Sequence, residues 1–276
     1  MATDLPVIAI LGAGSMGGAI ARGVSAGGGV LRLTSRGTAR LADWTDVVGV
    51  TATAVETDPD ANRTAAAGAG MVLLGVKPAG IAALAEEVAG SLDEGAVVVS
   101  VAAGVPTAAI ERRLPAGTPV VRAMPNTPAA IGRGVTGLSA GSSVSDDQLA
   151  LVRTLFEQVG TVVVVPESQI DALSAISGSG PAYLFYLVEQ LEAAAMARGF
   201  DAETAAALTR GTFSGALELL AAADVAPGEL RRRVTSPNGT TERAIAVFEE
   251  RGLPAAFDDA TAAALARARQ LAADLA

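Results

Sequence analysis

The chain contains no cysteine and no histidine. Without cysteine there are no disulfides and no thiolate chemistry, which fits a reducing compartment, and a cytoplasmic location is expected. Without histidine there is no imidazole acid, no imidazole ligand and no Ser-His-Asp triad. No metal site is expected. Lysine occurs once, at Lys77, while arginine is spread along the chain, so that lysine hints at a specific need. No apolar run reaches the length of a membrane span. Asp4 precedes the first apolar run with no Lys or Arg beside it, which argues against a signal peptide. A net charge of −9 argues against a nucleic-acid partner.

What is present is a globular composition. Of 276 residues, 50% are hydrophobic and 18% charged, enough for one large domain or two smaller ones. The most informative stretch is at the front. Val7 to Leu11 reads as a buried parallel strand, and Gly12-Ala13-Gly14-Ser15-Met16-Gly17 then turns into an Ala-rich helix over 15–26. Gly12 allows the turn, Gly14 lets a pyrophosphate approach the backbone, and Gly17 lets helix and strand pack closely. The helix start offers free N–H groups and a positive dipole end to phosphates.

Strand and helix then alternate. Strands are expected over 30–34, 47–50, 71–76, 97–101 and 120–123, with helices over 61–67 and 81–89 and another starting at Pro106. A further pair of strands, 135–139 and 161–165, flanks a helix over 146–159. This pattern predicts an α/β fold, a Rossmann-type doubly wound parallel sheet. In such sheets ligands gather at the carboxyl ends of the strands. The second strand ends in Thr34-Ser35-Arg36, with no acidic residue for ribose hydroxyls. A hydroxyl and a guanidinium there suit a 2′-phosphate, which favours NADPH with NADH as the alternative; a solvated surface arginine is the plainer reading. Val76-Lys77-Pro78 closes the fourth strand, where a cofactor would lie. Ala102 and Ala103 close the fifth, small enough for a nicotinamide ring to pass or simply for packing. Met124-Pro125-Asn126-Thr127-Pro128 makes a rigid loop at the sixth, as apt for a turn as for a site.

Pro166 marks a change of texture. Beyond it no strand is expected, only helical periods near 169–176, 181–198, 202–222, 229–234, 241–251 and 254–273. The reading is a dinucleotide-binding domain over 1–166 followed by an all-α domain over 167–276. So many apolar helices in a short segment cannot all bury against one another, and a second copy of the chain is the expected cover. The segment Ser236-Pro237-Asn238-Gly239-Thr240-Thr241 gathers hydroxyls and bare N–H groups at a helix start. That suits a small carboxylate, or an ordinary N-cap.

Taken together, the glycine turn, Val76-Lys77-Pro78, Ala102 to Val105, Met124 to Pro128, Ser177 to Tyr183 and Ser236 to Thr241 resemble the pyrroline-5-carboxylate reductases, in that family's order. The resemblance implies reduction of 1-pyrroline-5-carboxylate to L-proline with NADPH or NADH, the last step of proline biosynthesis. It implies a Rossmann domain and a helical domain that interlocks into a homodimer, with dimers assembling into a decamer. By position it assigns Gly12, Ala13, Gly14, Ser15, Met16 and Gly17 to the pyrophosphate, and Ser35 and Arg36 to the 2′-phosphate. Asn62 falls on the adenosine side. Val76, Lys77, Pro78, Ala102, Ala103 and Asn126 fall around the nicotinamide half. Ser236, Gly239, Thr240 and Thr241 fall around the substrate, with Glu167 a looser match; Thr241 or a water donates to the imine nitrogen, and Lys77 is assigned to catalysis beside Thr241. Two departures touch the assignment: Arg233 stands where relatives carry a neutral polar residue, and residues 51–61 form a longer segment than usual.

The chemistry agrees with an active site that lacks histidine, cysteine and metal. A protonated imine is already an electrophile, so holding it against the nicotinamide is most of the task. A ketone reductase would want a stronger acid. The rivals are an imine or 3-hydroxyacid-type reductase of similar plan, a catalytically silent regulatory relative, and a purely structural oligomer.

Overall fold

The computed structural model describes residues 5–273. Eight strands form one sheet in the order β3-β2-β1-β4-β5-β6-β7-β8. They are β1 (Ile8–Leu11), β2 (Leu31–Ser35), β3 (Val50–Ala54), β4 (Met71–Leu74), β5 (Val97–Ser100), β6 (Val120–Met124), β7 (Gly134–Ala140) and β8 (Gly160–Val164). The helices among them are α1 (Ser15–Ala26), α2 (Ala61–Ala66), α3 (Ile81–Val88), α4 (Thr107–Glu111) and α5 (Asp146–Glu157).

Alternation along β1 builds both faces of the core. Ile8 and Ile10 pack with Ile20 and Val24 of α1 and with Phe156 of α5. Ala9 and Leu11 point the other way, onto Ile81, Leu84 and Val88 of α3. All four β1 residues are fully buried, and each large aliphatic side chain so placed contributes roughly 1.5–3 kcal/mol. β2 and β4 both pair with β1 in parallel, so the strand order reverses beside β1. That reversal opens a crevice at the carboxyl ends of β1 and β4.

Two expectations need correction. The third strand runs over Val50–Ala54 instead of 47–50. Gly49, at φ +79, completes the turn after Trp44, and only beyond it does the chain come alongside β2. The sheet is also not parallel throughout, because β7 runs antiparallel to β6, with Met124 opposite Gly137. Only a 3₁₀ turn, Thr127–Ile131, and left-handed Gly132 join the two strands. A parallel return needs a crossover of about a dozen residues or more, and this connection lacks the length. β8 regains the parallel sense after α5, whose start carries a reciprocal Ser145–Gln148 capping box.

Beyond Pro166 come α6 (Glu167–Leu173), which passes into one π-helical turn (Ser174–Gly178), then α7 (Gly180–Met196), α8 (Ala202–Ala222), α9 (Pro227–Arg233), α10 (Thr240–Glu250) and α11 (Leu253–Ala273). Contacts divide the chain into two compact units. One contains the residues up to Ser179 together with those from Ala264 on, and the other is Gly180–Ala263. α6 and the last turns of α11 therefore pack with the sheet.

In the helical unit α7 and α8 lie against each other, tied by an Arg210–Glu192 ion pair of 2.7 Å. The unit has little core of its own. No residue of α7 or α10 is buried, and Phe185, Tyr186 and Phe248 are each more than half exposed. Among the described residues no helix is long and apolar enough to cross a membrane.

α8 is started by Asp201, whose carboxylate accepts the Thr204 N–H at 2.7 Å. That backbone bond, helped by the Thr204 hydroxyl, holds the carboxyl below the usual carboxylate range. A depressed carboxyl stabilises the fold above its unfolded pKa and loses that effect as pH falls through its folded value. Asp201→Ala is therefore expected to lower the melting temperature at neutral pH. The gap from the parent protein should close as pH drops below the lowered carboxyl value; thermal melts across the acid range measure it.

Candidate active site

The tip of β1 is built around one carbonyl. Gly12 sits at φ +98, and a Cβ on it would meet the backbone of Gly75 at 2.9 Å. A Cβ on Gly17 would come within 2.6 Å of the Gly12 oxygen, and one on Gly75 within 2.7 Å. The turn is tied sideways to β2, since the Gly12 and Ala13 N–H groups both donate to the Thr34 carbonyl, at 3.1 and 2.7 Å. α1 then begins after Gly14 with no side-chain cap. Helix geometry gives the N–H groups of Ser15, Met16 and Gly17 no acceptor of their own, and they face the crevice with the positive end of the dipole. A Cβ on Gly14 would have open space, with its nearest neighbour 4.0 Å away. These residues fit a pyrophosphate.

At the tip of β2, Ser35 is buried and the Arg36 side chain is exposed. Asn62 is buried beside them and already engaged. Its Oδ1 accepts the Thr34 hydroxyl at 2.7 Å, and its Nδ2 donates to Glu87 at 3.1 Å. The fold also brings a carboxylate that sequence reasoning missed. Glu56, just past β3, accepts the Thr38 N–H at 2.9 Å and lies over Gly37. The strand-end motif contains no acid, but its neighbour in space does. A cavity of about 610 Å³ opens beside this loop, lined by Thr38, Leu41, Trp44, Thr53 and Thr57.

Lys77 is exposed at the tip of β4, opening the 3₁₀ turn Pro78–Gly80, with Val76 half-buried before it. At the tip of β5, Ala102 is buried and Ala103 exposed. Gly104 follows at φ +76, with the backbone of Ala272 from α11 close above it. At the tip of β6, both ends of the Asn126 side chain are spent on backbone. Its Nδ2 donates to the Ser177 carbonyl at 2.9 Å, and its Oδ1 accepts the Val135 N–H at 2.8 Å. Asn126 thus pins β6, β7 and the π turn together. The fold brings Gly12 to Gly17, Ser35, Val76, Lys77, Ala102, Ala103 and Asn126 to one edge of the sheet.

Arg122 was not foreseen. It is 4% exposed within β6 and pairs with Asp171 at 2.7 Å and Glu167 at 3.6 Å. The signal was legible: one charge inside an apolar strand, and two carboxylates four apart on α6. Glu167 also accepts from Thr107, through both oxygens. A cavity of about 250 Å³ lies among Ala103, Gly104, Arg122, Met124, Asp171 and Arg267.

The helical unit carries its own tight turn. Asn238 adopts φ 60, and its N–H donates to Glu242 at 2.8 Å. The Gly239 N–H donates to the Ser236 carbonyl at 3.0 Å, and a Cβ on Gly239 would strike the Ser236 hydroxyl at 2.5 Å. α10 starts at Thr240 with no side-chain cap, and Thr240 and Thr241 are exposed. Arg233, just before the turn, is bound back to Glu229 at 2.9 Å. Arg232 and Arg233 together hold that carboxyl below the usual range. Among the described residues no group of three or more acidic side chains is placed to hold a metal ion.

A glycine turn feeding an uncapped helix at the switch point of a mostly parallel sheet is the arrangement of a dinucleotide-binding domain. Residues 7–104 match the family model of NADP oxidoreductase, coenzyme F420-dependent, and residues 167–271 match that of pyrroline-5-carboxylate reductase dimerisation. A pyrroline-5-carboxylate reductase of Pseudomonas aeruginosa is 40% identical, over 98% of this chain and 98% of its own. The solved reductase of Coxiella burnetii superposes with a TM-score of 0.90 at 39% identity, covering 97% of this chain and 99% of that one. A Plasmodium falciparum pyrroline carboxylate reductase, solved with NADP bound, shares the fold at a TM-score of 0.82 and 22% identity, covering 99% of each chain. The chain belongs to the pyrroline-5-carboxylate reductase family.

Gly17→Ala is expected to push α1 off the Gly12 carbonyl. NADPH binding should weaken at least about tenfold, or 1.4 kcal/mol, while the far-UV circular dichroism is kept. Fluorescence titration with NADPH measures the loss.

Proposed function

We propose that the chain reduces 1-pyrroline-5-carboxylate to L-proline, with NADPH preferred over NADH, and works as a homodimer. The observation that carries this reading is the pair of uncapped helix starts, at Gly14 and Gly239, intact in a chain of this family. One suits a pyrophosphate and the other a small carboxylate. The dimerisation-family match and the exposed aromatic residues of α7 support self-association, and the family resemblance supports dimers joining into a decamer.

In this reading NADPH, when bound, supplies the hydride taken up by the imine carbon. The N–H groups of Ser15 to Gly17 hold its pyrophosphate, Ser35 and Arg36 hold its 2′-phosphate, and Asn62 backs the adenosine side. Val76, Lys77 and Pro78 flank the nicotinamide ribose, and Ala102 and Ala103 leave room for the ring. Asn126 acts by fixing the loop beyond β6. The N–H groups and hydroxyls around Ser236, Gly239 and Thr240 grip the substrate carboxylate. The Thr241 hydroxyl donates to the imine nitrogen, directly or through a water. With nitrogen hydrogen-bonded in this way and solvent supplying its proton as hydride reaches carbon, the site has little more than orientation to provide, which is why a chain without histidine suffices.

The purified protein is expected to oxidise NADPH on addition of pyrroline-5-carboxylate; no turnover with either nicotinamide cofactor would remove the proposal. Thr241→Ala should cut kcat about tenfold or more while NADPH binding stays within about twofold. Equal loss of both would make Thr241 structural. At the β2 tip the two charges oppose each other. Arg36→Glu should move preference toward NADH, whereas Glu56→Gln removes a negative charge while still able to accept the Thr38 N–H, moving preference toward NADPH. Ratios of kcat/KM for the two cofactors check both directions.

A further inference from the structure

We propose that Glu167 is a positioning residue that fixes the loop between β5 and α4, acting through Thr107. The proposal rests on the reading above that Ala102 and Ala103 flank the nicotinamide ring. α4 begins at Thr107 after Pro106, which has no side chain to cap it. The cap comes instead from α6. One Glu167 oxygen accepts the Thr107 N–H at 2.8 Å, and the other accepts the Thr107 hydroxyl at 2.8 Å. Bidentate, charge-assisted bonds of this kind fix direction as well as distance.

The carboxylate is itself held. Arg122 lies 3.6 Å away, buried in β6, and its other arm grips Asp171 at 2.7 Å. Thr107 is buried too. The guanidinium therefore helps to aim Glu167, whose own side chain is 31% exposed. Between the end of β5 and Thr107 lie only residues 101–106. At the front, the Ala102 N–H donates to the Ser100 hydroxyl at 3.3 Å. At the back, Glu167 holds Thr107. In between, Gly104 takes φ +76, a conformation that does not enforce itself. Ala103 and Gly104 form a wall of the 250 Å³ cavity that Arg122 and Asp171 also line. A loop this short, anchored at both ends, cannot shift at Thr107 without moving Ala103.

The same geometry argues against Glu167 as a substrate ligand. Both of its oxygens are spent on Thr107, and a carboxylate repels a substrate carboxylate. Glutamine at this position still accepts the Thr107 N–H and can donate to the Thr107 hydroxyl, so it conserves the cap while removing the charge. Alanine removes the cap.

The test compares Glu167→Ala, Glu167→Gln and Thr107→Val in the full-length protein. Three things are read: NADPH binding from its own fluorescence, kcat, and KM for pyrroline-5-carboxylate. Glu167→Ala is expected to weaken NADPH several-fold and lower kcat about tenfold, because small misplacements of reacting groups are costly, with substrate KM changed less than about twofold. Glu167→Gln should restore both to within about threefold of the parent protein, and Thr107→Val should fall between. The proposal is overturned if Gln is as damaging as Ala, if the loss appears only in substrate KM, or if Ala matches the parent. The NADPH titration needs no turnover, so a parent protein inactive on pyrroline-5-carboxylate would sink the proposed reaction while still deciding whether Glu167 holds this loop.

Discussion

The crowding of backbone around the Gly12 carbonyl is the constraint that the rest of the sheet unit serves. Gly12, Gly17 and Gly75 meet there with no room for a Cβ on any of them. The closeness allows α1 to start directly over the end of β1, so its unpaired N–H groups fall in the crevice where the strand order reverses. Everything lateral, from Thr34 holding the turn to Asn126 pinning the loop beyond β6, keeps the strand tips level with that helix start. What this crevice offers a ligand is chiefly backbone N–H groups, which require neither histidine nor cysteine.

The two units solve the burial problem differently. In the sheet, alternation along each strand fills two layers, and β1, β4 and β5 are wholly buried. The helices of the second unit carry apolar residues around much of their circumference and bury almost none of them within one chain. Apolar surface left uncovered in this way suits association, which would link folding of that unit to protomer concentration. A dimerisation-family match over the same residues fits this physics.

Much of this was legible in the sequence because period and punctuation agreed. α1 and α8 fall where glycines and apolar spacing put them. The misses have definite causes. The third strand was placed too early because a Val-rich run outweighed the left-handed Gly49 that delays it. The antiparallel β7 was hidden because direction depends on the length of a connection, and the prolines of residues 124–128 read as a turn or a site alike without revealing the direction of the next strand. Glu56 was missed because only the β2–β3 register brings it to Thr38, and Arg122 because its lone charge in an apolar strand was passed over, its partners lying on α6 far away in sequence. Asn62, Asn126 and Glu167 are at or beside the strand tips, but their polar atoms hold protein.

The contact between Ala272 and Gly104 joins the end of the chain to the middle of the sheet unit. During synthesis the strands can assemble as they emerge, since each pairs with neighbours already made. The loop after β5 has no such freedom, because its cover belongs to α11, which is made long after the sheet. A ribosome-held nascent chain would therefore carry a finished sheet with one open seam until α11 emerges and closes it.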